Sequence, residues 1–210
     1  MTIKMIYLAK RNPALAPEDF PQAWREHSAL GAKCTNVRDK VVSVRQCSRV
    51  LAHPPLQGFS STYDGVNLLT VKSLAAAHDI WSDPETLAVM RPDEPRVFST
   101  YVRNFTLICE ETSVDERAGA IRVNPLGKCV VVGFLREFGA SPSFTFPHAR
   151  AVVLNRVCET PPPGYAYEVI LEAWYEDPVQ ATQALQGTSH AMLGEADCVW
   201  MLTTVTHSRP

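Results

Sequence analysis

"YAYEVILEAWYED", residues 165–177, reads as a single strand with two unlike faces. Successive side chains along a strand point to opposite sides. Tyr167, Val169, Leu171, Ala173 and Tyr175 make a continuous apolar row suited to packing under helices. Glu168, Ile170, Glu172 and Trp174 take the other side, where two carboxylates stand among bulky apolar groups. An earlier stretch, "YDGVNLLTVKS" at residues 63–73, lines up with it when "TVKS" is set against "WYED". Asp64, Val66, Leu68 and Thr70 then fall on the second face, with Leu68 at the position of Glu172. Two such strands about a hundred residues apart point to an internal repeat.

The neighbouring elements repeat in the same order. Residues 3–10 read as a strand, and "RNPALAP" turns the chain. Pro17 fits the first position of a helix, with Glu18 and Asp19 in its first turn. Phe20, Ala23, Trp24, His27, Leu30 and Gly31 then lie on one helical face. Strands are expected at 40–50, 63–73 and 101–111. Ser73 should cap a helix bearing Leu74, Ala77 and Trp81, and a short helical piece follows at "SDPETLAVMRP". The order is β-α-β-β-α-β, the ferredoxin-like unit. A charged, Gly/Pro-punctuated stretch at 113–126 reads as a linker. From 127 to 210 the order recurs, with "SPSFTFPHARA" in place of the first helix and Asp177–Pro178 opening a helix through Gln186. The expected architecture is α+β: two tandem ferredoxin-like repeats, 1–112 and 127–210, whose antiparallel sheets close on each other as an α/β barrel. The bare sheet faces would then enclose a mostly apolar pocket.

Composition excludes several classes. The 210 residues are 46% apolar and 20% charged with a net charge of −2, so no basic footprint for nucleic acid is present. No stretch approaches the roughly 18 apolar residues of a membrane span. Lys4 interrupts the first apolar run and no small-residue cleavage site follows it. A soluble, cytoplasmic protein is the expectation. Six cysteines without a CxxC pair fit reduced, mostly buried thiols. Apart from His27 the histidines are His53, His78, His148, His190 and His207, and none forms a metal-binding spacing. No phosphate-binding glycine motif and no GxSxG is present. Neither a metal nor a cofactor is expected.

Two stretches resemble the EthD family, a branch of the dimeric α/β-barrel superfamily. "AKRNPALAPEDFPQAWREHSALGAK" is similar to its opening pattern, which runs from a basic residue and Pro to "L-x-P-E-x-F" and "W-x-x-H". "YDGVNLLTVKSLAAAHDIWSDPE" is similar to its second signature, an aromatic–Asp–Gly run entering strand three. The second repeat lacks "W-x-x-H" but keeps the Glu and aromatic positions at Glu172 and Trp174. Single-repeat relatives dimerise to close the barrel, so a tandem chain could close it alone, and a homodimer is possible. Members include accessory proteins of oxidative degradation, fungal dehydratases and decarboxylases, and, more widely, cofactor-free monooxygenases. The resemblance implies a hydrophobic or aromatic small molecule as ligand.

His27 is the leading candidate for acid–base chemistry, since a neutral imidazole can accept or donate a proton near pH 7. The alternative is a core histidine bonded to a backbone carbonyl. Glu172, facing an apolar cavity, would be a second proton-transfer or orienting group; its alternative is a structural ion pair. Trp174 is expected as a wall against the ligand, with Tyr7, Asp64 and Glu168 as further binding residues. His148 stands where a relic of His27 would lie. Two functions stay open at this point: lyase, dehydratase, isomerase or cyclase chemistry without a cofactor, and non-catalytic binding of a metabolite. Cofactor-free oxygenation is a third.

Overall fold

The computed structural model describes residues 1–51, 57–116, 121–136, 145–186 and 198–210. Eight strands close into a barrel in the order β1-β3-β2-β8-β5-β7-β6-β4, every pair antiparallel. The first half supplies β1 (Thr2–Ala9), β2 (Val41–Arg49), β3 (Gly65–Val71) and β4 (Thr106–Glu116). The second supplies β5 (Cys129–Leu135), β6 (Ala151–Val157), β7 (Val169–Tyr175) and β8 (Cys198–Arg209). Each half is ordered 4-1-3-2, and the seams are β2 against β8 and β4 against β6. One chain therefore completes the closure. The helices α1 (Phe20–Gly31), α2 (Thr35–Lys40), α3 (Leu74–Ile80), α4 (Pro84–Met90) and α5 (Glu94–Val97) belong to the first half, and α6 (Pro178–Gln186) to the second.

The expected alternation of faces is present. Ile170 and Trp174 join Ile6, Val66, Leu68 and Val132 inside the barrel, while Val169, Leu171, Ala173 and Tyr175 pack outside against α6. Tyr167, expected outside, belongs to the interior cluster, because it precedes β7 and escapes its alternation. The stripe on α1 buries Phe20, Ala23, Trp24, His27 and Gly31. Trp24 reaches the sheet because β3 begins with a glycine. A Cβ on Gly65 would lie 2.7 Å from the Trp24 ring and 2.8 Å from the Cys47 carbonyl oxygen.

Several boundaries differ from the sequence reading. The first helix begins at Phe20, with Pro21 rather than Pro17 in its first turn. A 3-10 turn at Val102–Phe105 precedes β4, closed by the Thr106 hydroxyl donating to the Val102 carbonyl at 2.8 Å. Its Val102 and Phe105 are needed under α1, which delays the strand. β4 then continues to Glu116 and pairs with β6, so the seam occupies the start of the 113–126 stretch. Residues 145–150 turn without forming a helix, and 141–144 of that region lie outside the described residues. As expected, Ser73 caps α3, accepting from the Ala76 amide at 3.1 Å.

The expected pocket inside the barrel is a correction. Apolar side chains fill the interior, among them Ile6, Leu68, Phe134, Ile170, Trp174 and Met201. Its acid and base pair with each other, while Asn155 Oδ1 has no hydrogen-bond partner among the described residues. Glu172, fully buried, accepts from the Lys4 ammonium at 2.7 Å, from Asn155 at 2.9 Å and from the Trp174 indole at 3.0 Å. Lys4 also pairs with Glu111 at 2.6 Å, and Glu111 with Arg122 at 2.9 Å.

Candidate functional site

The cavity lies on the other side of the barrel wall, between the outer face of the first half's sheet and α1, α3, α4 and α5. It holds about 110 Å³ and opens partly to solvent. A cavity of about 150 Å³ accepts one benzene ring, so this smaller, partly open space would enclose part of a ring, with the rest of a ligand reaching outward. Strand register sets its floor. Tyr7 pairs with Asn67 and Asn67 with Gln46, so three polar side chains stand abreast on β1, β3 and β2. Apolar walls come from Trp24, Leu69, Ile80, Trp81, Leu87 and Met90. Four atoms of lining residues are buried without a hydrogen-bond partner among the described residues: Gln46 Oε1, Asn67 Oδ1, Thr86 Oγ1 and Arg209 Nε. Stranding a buried polar group costs about 1–3 kcal/mol each. Such a concentration in one cavity fits a site that a ligand completes.

His27 lines this cavity from α1, with its ring edge against Phe98. Its Nδ1 lies 2.8 Å from Asp93 Oδ2. Arg96 grips both oxygens of Asp93, Nε to Oδ1 at 2.7 Å and Nη2 to Oδ2 at 3.2 Å. Burial works against ionisation of Asp93, but the bonds from Arg96 and His27 outweigh it and hold the carboxyl below its ordinary range. An ionised Asp93 accepts the Nδ1 proton, so the lone pair of neutral His27 sits on Nε2. Burial lowers the His27 pKa below its ordinary 6.5, against the opposing pull of Asp93. At pH 7 the group is a neutral, oriented base.

Glu94, next to Asp93, turns the other way. It is 6% exposed, lines the cavity, and accepts from the Val102 amide through Oε2 at 3.0 Å, its one hydrogen bond among the described residues. Burial raises its pKa, against the Val102 bond and Arg91. The Tyr7 oxygen accepts from the Trp24 indole at 3.3 Å, leaving its own proton to donate. Burial drives the Tyr7 phenol upward, opposed by the Trp24 bond and aided by Glu94, so it stays protonated.

The expected residues therefore separate. His27 and Tyr7 share the cavity. Glu172 and Trp174 lie inside the barrel, across the sheet wall from it. Asp64 ties the loop after β1, accepting from the Arg11 amide at 3.0 Å and from Arg49 at 3.3 Å. Glu168 is exposed, and His148 is exposed in a turn with φ of 61°; neither lines the cavity. His53 and His190 lie outside the described residues. The sequence reading missed Asp93, Glu94, Asn67 and Gln46. Adjacent acids in "RPDEPR" were a signal for the first two, and strand register for the others. No cluster of three or more His, Cys, Asp or Glu side chains among the described residues could hold a metal ion. All six cysteines are free thiols. No helix among the described residues is long and apolar enough to cross a membrane.

A closed eight-stranded barrel with helices outside and a cavity beneath them is the dimeric α/β-barrel fold with both halves in one chain. Residues 12–100 match the sequence profile of the EthD domain. No curated protein matches the chain by sequence. Among solved structures, a protein described as anthrone oxidase-like is 12% identical with a TM-score of 0.63, over 99% of this chain and 92% of that one. A candidate monooxygenase from Fusobacterium nucleatum is 9% identical with a TM-score of 0.54, over 99% and 94%. Another, from Lactobacillus acidophilus, is 7% identical with a TM-score of 0.53, over 99% and 94%. At these identities the likeness is one of fold.

Proposed function

We propose that the protein is a cofactor-free enzyme that binds a small hydrophobic or aromatic molecule beneath α1 and removes a proton from it with His27. The observation that carries this reading is the cavity-lining His27 whose Nδ1 is held by Asp93 at 2.8 Å, leaving Nε2 as a base. Asp93 orients the ring and stabilises the imidazolium that forms, as the carboxylate does in hydrolase triads. Tyr7 donates to the oxygen on which negative charge develops, and Asn67 and Gln46 accept from hydroxyl groups of the ligand. Glu172 and Trp174 have no part in this reading; they hold the barrel together. Proton abstraction beside a carbonyl opens lyase, dehydratase, isomerase and cyclase outcomes. The same carbanion, formed from an electron-rich ring, can react with O2, so oxygenation shares the first step. The fold neighbours named for oxidation favour including it in the test.

Anthrone is a suitable probe, because loss of its acidic C–H proton and uptake of O2 give anthraquinone and water. Wild-type protein is expected to accelerate deuterium exchange at that carbon under argon and anthraquinone formation in air. His27→Gln should slow both by about 10²–10⁴-fold, the usual worth of a positioned base. Equal rates in wild type and His27→Gln, with both folded, reject the role of His27. Tight binding of anthrone without exchange in either protein would instead support a non-catalytic carrier.

A further inference from the structure

Resting on that reading, we infer that the second half of the chain completes the cavity with an anion subsite, Arg209 with His207 beside it, and that the ligand is an aromatic molecule bearing a carboxylate. The cavity is otherwise a first-half structure: among its lining residues Arg209 alone comes from beyond Val102. A bulge in β8 puts it there. Met201 and Val205 face the barrel interior, and strict alternation would send His207 and Arg209 after them. Gln46 pairs with His207 but Cys47 with Val205, so Thr206 is an extra residue that turns the end of the strand over. Its hydroxyl meets the Ser48 hydroxyl at 2.7 Å and donates to the Gln46 carbonyl at 3.3 Å, which holds the bulge. His207 thereby joins the row of Tyr7, Asn67 and Gln46, and Arg209 pairs with Val44 two residues further along.

The charge placed there is unanswered. Among the described residues six arginines bury an Nε that has no hydrogen-bond partner: Arg11, Arg45, Arg49, Arg122, Arg150 and Arg209. Arg11 and Arg49 still reach Asp64, Arg122 reaches Glu111, Arg150 reaches Glu176, and Arg45 donates to the Arg122 carbonyl. Arg209 is the exception, with no acid and no hydrogen-bond partner at any nitrogen among the described residues. Burial lowers the pKa of its guanidinium, and no carboxylate opposes that. His207 buries an unpartnered Nε2, and the charges that act on it are those of Arg209 and Arg25. The nearby acids are committed elsewhere, Asp93 to His27 and Arg96, and Glu94 to the Val102 amide. A guanidinium offers parallel N–H groups that match the two oxygens of a carboxylate. Set at the edge of an apolar cavity, it selects a ligand with a ring for Trp24 and Leu69 and an anionic group for Arg209.

Two probes of one shape isolate the charge. 2-Naphthoate and 2-naphthamide carry the same rings and a planar substituent of the same size, but at pH 7 only the first is an anion. Isothermal titration calorimetry is expected to show wild-type protein binding the naphthoate at least about tenfold tighter than the amide. Arg209→Gln should cut that preference to less than about twofold. Arg209→Lys, which keeps the charge but loses the planar fork, should retain part of it, and circular dichroism confirms that each variant is folded. Anthrone should displace the naphthoate, which puts both in one cavity. Equal binding of the two probes by wild type overturns the inference. So does a preference that survives Arg209→Gln, or a naphthoate that anthrone does not displace. The titration needs no turnover, so it is read apart from the role of His27. A protein that prefers the naphthoate but does not exchange anthrone keeps the subsite and loses the base. One that exchanges anthrone through His27 and shows no preference keeps the base and loses the subsite.

Discussion

His27 and Asp93 are 66 residues apart in the chain, and their contact turns a helix-face histidine into an oriented base. Replacing Asp93 with Asn keeps the size but offers an amide that donates to Nδ1, so the proton moves to Nε2 and the base is lost. Anthrone exchange in Asp93→Asn is expected to fall by about 10²–10⁴-fold, mainly in kcat and with little change in KM. The pH dependence follows from burial. Because burial holds His27 below 6.5, its neutral form persists as pH falls through 6.5, and the rate declines only under that value. Asp93 pulls the His27 pKa up, so whatever activity Asp93→Asn retains should lose its acid limb at still lower pH. A rate profile of both proteins checks the sign. His27 was legible because its stripe on α1 is visible in sequence. Its partner was not, because that pairing needs the chain after α4 to fold back against α1, which no periodicity reports.

At the level of the strands, the two halves share a register but not a site. Tyr7 pairs with Asn67 and Asn67 with Gln46; the matching row in the second half is Gly133, Leu171 and Leu154. There the Trp200 ring lies over Gly133, so close that a Cβ would come within 2.5 Å of it, and Phe146 packs beside the indole. A polar floor in one half has become packed core in the other. Importing the second-half residue should then trade function for stability. Asn67→Leu removes a stranded buried oxygen and is expected to stabilise the fold by about 1 kcal/mol in urea unfolding while weakening binding of a hydroxyl-bearing anthrone at least tenfold and leaving binding of anthrone itself little changed. Gln46→Leu is expected to gain nothing, because it also breaks the 3.0 Å bond from Gln46 to the Trp24 carbonyl. Strand faces and the order of elements were readable from alternation and turns. The side of the wall that carries the void was not, since alternation assigns residues to faces without saying which face is filled.

Across the whole molecule, the divergence at Glu172 and Leu68 has its explanation in an ion pair between the halves. Lys4 projects from β1 and Glu172 from β7, strands that are not neighbours in the barrel, and the two meet inside it at 2.7 Å. Their counterparts by register are Val130 in the second half and Leu68 in the first, so each half carries one member and an aliphatic residue at the other position. Burial opposes the charge on Glu172, but Lys4, Arg122 and Asn155 outweigh it and hold its pKa below the ordinary 4.5. A carboxyl depressed in the folded state contributes its full stability above the unfolded value and loses it as pH falls through the folded one. Wild-type stability should therefore decline below about pH 4.5. Lys4→Met strands Glu172, and the expected cost at pH 7 is about 3–5 kcal/mol. The same stranded carboxyl favours its protonated form, so the difference from wild type should narrow as pH falls. Lys4→Met combined with Glu172→Leu makes both positions apolar, as their counterparts Val130 and Leu68 already are. Buried pairs exchanged for packed apolar residues are often neutral or better, so the double variant should recover most of the loss and flatten the acid dependence. Urea unfolding of the four proteins at pH 7 and pH 4 measures this coupling directly. A double variant as unstable as Lys4→Met would mean that Asn155 and the Trp174 indole, left without Glu172, dominate the interior.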